Sequence, residues 1–424
     1  MIWRKVLCSV TLLYAVIASS AEVHYLAGTT LMHATNINRQ NTATESEVAQ
    51  TLRGSVSVIE NTATLVMNVD ASLQATHYAN NQLADATTGQ MLGNALWSIR
   101  PGQLEWYASN IYTQMAIDPL SSNTPGNRQN VNALSTGPNY TMRFNSRSQL
   151  ELEARAENYA FENADTDNNR ALAAARLNYR FTASISSNLN YESTKVMFEN
   201  TVLNSDFARN DMFLSLHYQR NTNTAEAQGG YTIISNDNTA DARASRYLLA
   251  LENRRTRTTT LRAEYSRNVS DTSSNLRSIT TADSTNPTLL ATSAQLFIRT
   301  TARLNSTSTL SSGTLILSAH KTESDYLTDD TLDQIENGAS ILNSWNLNGR
   351  STFSIDGRYI ETDYTGQPVL RIDEDYIYGA TYIYRYGRNI NINLRGEYLE
   401  RESTTLLQNY EDRRIIFTLE YVSR

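Results

Sequence analysis

Leu65-Val66-Met67-Asn68-Val69-Asp70-Ala71-Ser72-Leu73-Gln74-Ala75-Thr76 carries an apolar side chain at every odd position and a polar one at nearly every even position. Side chains alternate across an extended strand, so this pattern predicts one oily and one wet face. The pattern recurs along the chain. In 149–157 the even positions are apolar and the odd ones are charged or Gln. Ala171, Ala173, Ala175, Leu177, Tyr179 and Phe181 share a face, as do Tyr376, Tyr378, Ala380, Tyr382, Tyr384 and Tyr386. Ile415, Phe417, Leu419 and Tyr421 repeat it in the last segment. Many such segments run roughly 10–15 residues, where strands of soluble sheets average about 5–6. A strand that crosses a tilted path through a membrane needs about 9–11. Length and alternation together predict an all-β fold, a transmembrane antiparallel up-and-down β-barrel.

The connections supply an independent check. Strands are expected at 23–33, 48–58, 62–77, 91–99, 103–115, 137–146, 148–161, 170–183, 185–199, 207–220, 222–235, 243–256, 258–269, 289–304, 308–322, 341–349, 350–363, 374–386, 389–402 and 412–423. That is about twenty, with eighteen as the alternative, since such barrels close with an even number. Short turns follow the even strands: Glu60-Asn61, Pro101-Gly102, Ser146-Arg147, Ser184, Asn221, Arg257, Asn305-Ser306, Gly349 and Gly387-Arg388. Longer polar loops follow odd strands, at 34–47, 78–90, 116–136, 270–288, 323–340 and 364–373. Short turns on one side and long loops on the other is the outer-membrane pattern, with both chain ends on the periplasmic side. All six prolines (Pro101, Pro119, Pro125, Pro138, Pro287, Pro368) fall in connections or at a strand start, where no ladder N–H is lost. A soluble sandwich would not need strands this long, and a solenoid would show a fixed repeat.

Residues 1–21 read as a signal peptide, leaving 22–424 as the barrel. Arg4 and Lys5 are basic, Val6 to Ile17 is a short apolar core, and Ala18-Ser19-Ser20-Ala21 is a small-residue cleavage site. The single cysteine, Cys8, lies inside that segment, so the barrel has no disulfide to rely on. Beyond the first 20 residues no apolar run reaches the length of a membrane helix. A mean hydropathy of −0.45 with only 19% charged residues means that Asn, Thr and Ser carry the polarity. Of the 36 basic residues only Lys5, Lys195 and Lys321 are lysines. The net charge of −7 disfavours nucleic acid as a partner.

Chemistry is expected on the polar faces. His24, His33, His77, His217 and His320 are scattered, without metal-ligand spacing. No nucleotide-binding or nucleophile motif occurs, so neither cofactor nor catalytic site is expected and the chain is not read as an enzyme. His217 is expected to face inward, with His77 and His320 near loop-side strand ends. The candidate lumen-lining residues are Glu151, Glu153, Arg155, Glu157, Arg176, Arg180, Arg262, Glu264, Arg299 and Arg303. Opposite charges on neighbouring strands lie within pairing distance, and arginine keeps its charge at any relevant pH. They line a water-filled path for a polar or anionic substrate, brace the wall as an ion-pair ladder, or do both. Glu323, Asp325, Asp329, Asp330, Asp333 and Glu336 predict an acidic outer loop. Tyr107, Tyr159 and Phe161 are expected to point inward, and tyrosines at strand ends to form interface girdles.

The segment 414–421 resembles the C-terminal signal read by the barrel assembly machinery. Arg414, Leu419 and Tyr421 match it, Ile416 stands where it has Gly, and Phe417 completes the candidate set. A broader likeness is carried by Gly28-Thr29-Thr30 leading to Asn36-Ile37-Asn38, by Leu104-Glu105-Trp106, by Thr136-Gly137-Pro138, and by the hairpin 149–161, 165–167 and 171–181. In these the chain resembles a family of Gram-negative outer-membrane β-barrels associated with exopolysaccharide loci and the exosortase/PEP-CTERM sorting system. Thr35 stands where that family has an acidic residue before the first Asn. The resemblance implies a role in moving or anchoring extracellular polysaccharide across the outer membrane; the leading expectation is a channel that exports exopolysaccharide, with outer-membrane lipid, the assembly machinery, polysaccharide and export machinery as partners. A general porin for small polar solutes and a non-conducting surface scaffold are the alternatives.

Overall fold

The computed structural model describes residues 21–423 apart from 43, 119, 123, 164, 202, 203, 237, 238, 272–294 and 328. The expected signal peptide and most of the expected loop at 270–288 lie outside the described residues. Twenty strands follow one another: β1 (Glu22–Ala34), β2 (Glu47–Asn61), β3 (Leu65–Tyr78), β4 (Ala86–Arg100), β5 (Leu104–Ala116), β6 (Arg128–Arg143), β7 (Ser148–Phe161), β8 (Asn168–Arg180), β9 (Ile185–Phe198) and β10 (Phe207–Arg220). Then come β11 (Asn223–Asn236), β12 (Thr239–Arg254), β13 (Thr259–Ser270), β14 (Phe297–Leu310), β15 (Gly313–Tyr326), β16 (Gln334–Asn346), β17 (Ser351–Asp363), β18 (Ile372–Tyr386), β19 (Ile390–Ser403) and β20 (Tyr410–Val422). Each pairs antiparallel with its neighbours, and β1 pairs with both β2 and β20, which closes the barrel. Closure leaves no edge strand, so every backbone N–H within the lipid has a partner. The chain is an outer-membrane β-barrel.

The two faces follow the alternation. On the outer face Tyr25, Leu52, Leu73, Trp97, Leu189, Leu249, Leu304, Ile355, Leu394 and Leu419 are exposed, as a lipid-facing band requires. The inner face of β3 carries Asn68, Asp70, Ser72, Gln74 and Thr76, paired with Ile59, Ser57, Ser55, Arg53 and Thr51 of β2. Aromatic contacts reinforce the outer face near the turns. Tyr25 stacks on Tyr421 across the closing seam at 6.2 Å between ring centroids, and Trp345 stacks on Phe353 at 5.8 Å.

Toward the loop ends the polarity reverses. Met115, Val131, Ala133, Tyr159 and Phe161 form a buried apolar cluster on the inner faces of β5, β6 and β7. Val196, Phe198, Phe207, Ile234, Val269 and Leu296 form another, from β9 to β13 and the residue just before β14. The outer face at that height is polar: Asn110 bonds to Asn132 at 3.0 Å, Asn130 to Glu162 at 2.8 Å and Asn158 to Asn169 at 2.9 Å. The strands therefore rise out of the membrane, with water outside and a dry collar inside.

This reversal corrects several expected boundaries. β6 begins at Arg128, not at 137, and β4 begins at Ala86, not at 91. β14 runs Phe297–Leu310, so Asn305-Ser306 is strand and the turn lies at 311–312. Glu323 and Asp325 belong to β15 and Glu336 to β16, which leaves Asp329, Asp330 and Asp333 in a shorter loop.

Pro138 is a further correction, because it sits inside β6 opposite Trp106. The β6–β7 ladder is interrupted between Thr136 and Asn139. Gly137 beside it is required by space: a Cβ there would lie 2.0 Å from the Ala154 carbonyl oxygen.

Candidate functional site

Residues paired in register share a face, so the inner wall can be followed strand by strand. Glu151, Glu153, Arg155 and Glu157 of β7 face Arg176, Ala174, Leu172 and Arg170 of β8. Glu153 binds Arg176 at 2.8 Å and Arg155 at 3.3 Å. Glu157 is buried, accepts from Ser135 Oγ at 3.2 Å, and accepts from the Tyr159 hydroxyl at 3.2 Å. Arg155 is also buried. Its guanidinium lies over the Tyr107 ring at 4.8 Å and donates to the carbonyls of Ala154 and Pro138 at 2.8 and 3.1 Å. Arg180 ends β8 on the same face, exposed at the turn side.

A second sector lies on β12 to β16. Arg262 binds Glu264 at 2.7 Å and approaches Glu252 at 4.0 Å. Glu264 stands opposite Arg303, and Arg303 opposite His320. His320 Nε2 lies 2.7 Å from Glu336. Gly338 faces His320, where a Cβ would meet the ring at 2.2 Å. Arg299 stands opposite Ser324, with its guanidinium 5.1 Å from the Phe297 ring. The structure thus gathers the ten candidates into two sectors, β7–β8 and β13–β14. His217 stands opposite Glu226 on the inner face and 3.2 Å from Asn188 Nδ2.

Two charged groups were missed in the sequence. One is Asp211 on β10, fully buried, which binds Arg209 at 2.7 Å and Arg246 at 3.5 Å. The other runs from β17 to β20. Arg395 binds Asp356 at 2.7 Å and Glu397 at 2.8 Å. Arg401 binds Asp375 at 2.7 Å and Asp373 at 3.3 Å, and Arg371 binds Asp373 at 2.6 Å. Arg414 binds Asp412 at 2.6 Å. The signal was present: Asp373 with Asp375, Arg395 with Glu397, and Asp412 with Arg414 are charges two residues apart on polar faces.

Of the candidate assembly residues, Arg414 therefore faces the lumen, while Phe417, Leu419 and Tyr421 face outward and exposed. Exposed pairs in a wet lumen contribute about 0–1 kcal/mol each. Asp373 and Asp412 are fully buried, so their arginines matter chiefly by preventing a charge from being left unpaired.

The loops close over part of this wall. Arg170 of β8 reaches Asp271, just past β13, at 2.7 Å, and both side chains are buried. Arg371 donates to the Leu120 carbonyl at 2.7 Å, joining the loop before β18 to the loop before β6. In the loop after β17, burial and then Asp373 push the Tyr364 hydroxyl up to about 12. Between β15 and β16, Thr331 donates to Asp329 from its hydroxyl and its N–H, which holds that carboxyl below its ordinary range.

No protein-family model matches the chain, and no curated protein matches it. Solved structures do. The FrpB iron transporter from Neisseria meningitidis (F3-3 variant) superposes with a TM-score of 0.53 at 10% identity, covering 96% of this chain and 82% of that one. OccK2 (OpdF) of Pseudomonas aeruginosa, solved in complex with glucuronate, gives 0.44 at 11% identity, covering 96% and 99%. The siderophore receptor PirA of Pseudomonas aeruginosa gives 0.47 at 10%, covering 94% and 80%. What the chain shares with FrpB at this identity is the outer-membrane barrel fold.

Proposed function

We propose that this barrel is a channel through which exopolysaccharide crosses the outer membrane. The observation that carries the reading is the inner wall. Many of its charges are paired, on β7–β8, β10–β12, β13–β16 and β17–β20. Such a wall offers dense hydrogen-bonding groups with much of its charge locally compensated. A long hydroxyl-rich chain can exchange partners along it, whereas a small ion gains little from it. The ten candidate residues act on this reading as that exchange surface, and no catalytic step is assigned to any of them. Twenty strands also exceed the 16–18 that already enclose an aqueous channel. The family resemblance of the sequence points the same way. Deleting the gene and measuring secreted polysaccharide tests the proposal, and undiminished secretion would sink it.

A second reading draws on the apolar collar and on the Arg170–Asp271 pair at the loop end. Under it the barrel is a non-conducting scaffold. Planar-bilayer recording separates the two, since a scaffold gives negligible conductance. A general porin would conduct steadily, and its loss would impair uptake of small solutes instead of secretion.

A further inference from the structure

We propose that Arg39, at the loop-side mouth of the lumen, binds the carboxylate of an acidic sugar unit. This rests on the reading of the barrel as a polysaccharide channel and names the chemistry of what it carries.

Arg39 is held in place by its loop. Asn36 is buried, and its side chain donates to the Gln40 carbonyl at 2.7 Å, accepts from Gln40 N–H at 3.0 Å and donates to the Glu411 carbonyl at 3.1 Å. The Asn36 N–H donates to Asp412 at 2.9 Å, so the loop is pinned to β20. Arg39 closes the turn by donating its N–H to the Asn36 carbonyl at 3.1 Å, with φ at 52°. A left-handed arginine is strained and persists only where its surroundings impose it.

The charge so presented makes no direct ion pair among the described residues. Arg39 Nε is shut from solvent and has no hydrogen-bond partner among the described residues. The side chain rests against the Tyr410 ring, 5.4 Å from its centroid. Burial is the chief cause that lowers its affinity for the proton, and Arg414 and Arg401, close enough to repel it, add to that. Asp375 attracts it, but both Asp375 oxygens already accept from Arg401, at 2.8 and 2.7 Å, and Oδ1 lies 3.4 Å from the Tyr410 hydroxyl. Arg414 is held by Asp412. A guanidinium in this position fits a carboxylate in its planar fork. The Tyr410 ring is itself buried, with Arg401 also near its face at 5.7 Å.

The test uses the full barrel in detergent, titrated by calorimetry with a galacturonate oligomer and with a neutral malto-oligosaccharide of equal length. The acidic oligomer should bind and the neutral one should bind at least about tenfold more weakly. Arg39→Gln should cost the acidic oligomer about tenfold or more, the scale of a lost charge-assisted hydrogen bond. Arg39→Lys should retain part of the preference. Equal binding of the two oligomers, an unchanged affinity in Arg39→Gln, or inorganic phosphate binding as tightly as the acidic oligomer would each overturn the proposal. Planar-bilayer conductance of the same preparation keeps the two readings apart. Acid-selective binding to a barrel that does not conduct removes the channel and keeps the site. Conductance without that selectivity removes the site and keeps the channel.

Discussion

Arg155 does for Pro138 what a backbone N–H would do elsewhere in the sheet. Glu162 N–H donates to Asn130 at 3.0 Å and Phe144 N–H to Ser148 at 3.0 Å. Counting along the antiparallel register from these bonds makes Pro138 and Ala154 a hydrogen-bonding pair. Pro138 has no N–H to give, and the Arg155 guanidinium donates to the orphaned Ala154 oxygen instead, at 2.8 Å. Gly137 leaves the room. Arg155→Leu should therefore destabilise the barrel by about 2–3 kcal/mol, the cost of unsatisfied buried carbonyls, with Glu153 still paired to Arg176. Urea unfolding in lipid vesicles measures this. The loss should shrink when Pro138→Ala restores the ladder donor.

Asp412 is fully buried and serves both Arg414 and the loop N–H of Asn36. Asp412→Asn leaves Arg414 without its carboxylate, at a cost of about 3–5 kcal/mol for a broken buried pair. It should also free the 35–46 loop. Limited trypsin digestion of folded protein should then cut after Arg39, a site that the wild type protects.

Arg170→Met removes one partner of the pair between β8 and the segment after β13. The expected loss is again about 3–5 kcal/mol, read from unfolding in the same vesicles. Replacing both residues, Arg170→Met with Asp271→Leu, should recover part of it, because Asp271 is then no longer left as a buried carboxylate, while buried Glu157 still loses the cation it faces.

Tyr364 gives the loop after β17 a dependence on alkaline pH. Its folded hydroxyl titrates near 12, above its ordinary value, because burial disfavours the phenolate. The unfolded chain loses that proton first as pH rises past about 10. The contribution is therefore whole below about pH 10 and is lost progressively toward 12. Ultraviolet difference titration should show a late-ionising tyrosine component in the wild type, and Tyr364→Phe should shrink that component by one tyrosine.

Much of the wall was legible in the sequence because lipid imposes one rule on every strand that crosses it. The Leu65–Thr76 run became β3, and the segment 148–161 became β7 residue for residue. The rule fails above the membrane. In Asn130, Val131, Asn132 and Ala133 the apolar residues point inward and the polar ones outward, so a reading trained on the lipid band sees a polar loop. Among the β17–β20 pairs, Arg395 with Glu397 and Asp412 with Arg414 stand two residues apart in the sequence, but the links between strands do not show there. Arg401 reaches Asp375 on the neighbouring strand from 26 positions away, and that spacing is set by loop length, not by any local pattern. Arg39 was beyond reach for the same cause: its distinction lies in which neighbours it lacks.

The reversal of polarity along β6 and β9 changes what a substitution means. Whether a leucine is welcome at a given position depends on height along the strand, not on face alone. Outward leucine suits Leu189 in the lipid band, yet at Lys195, six residues on along the same face, it would put oil against water. A tolerance map of this chain should therefore switch sign partway up each strand. The line joining those switch points would trace the membrane's outer surface on the protein, drawn by mutation alone.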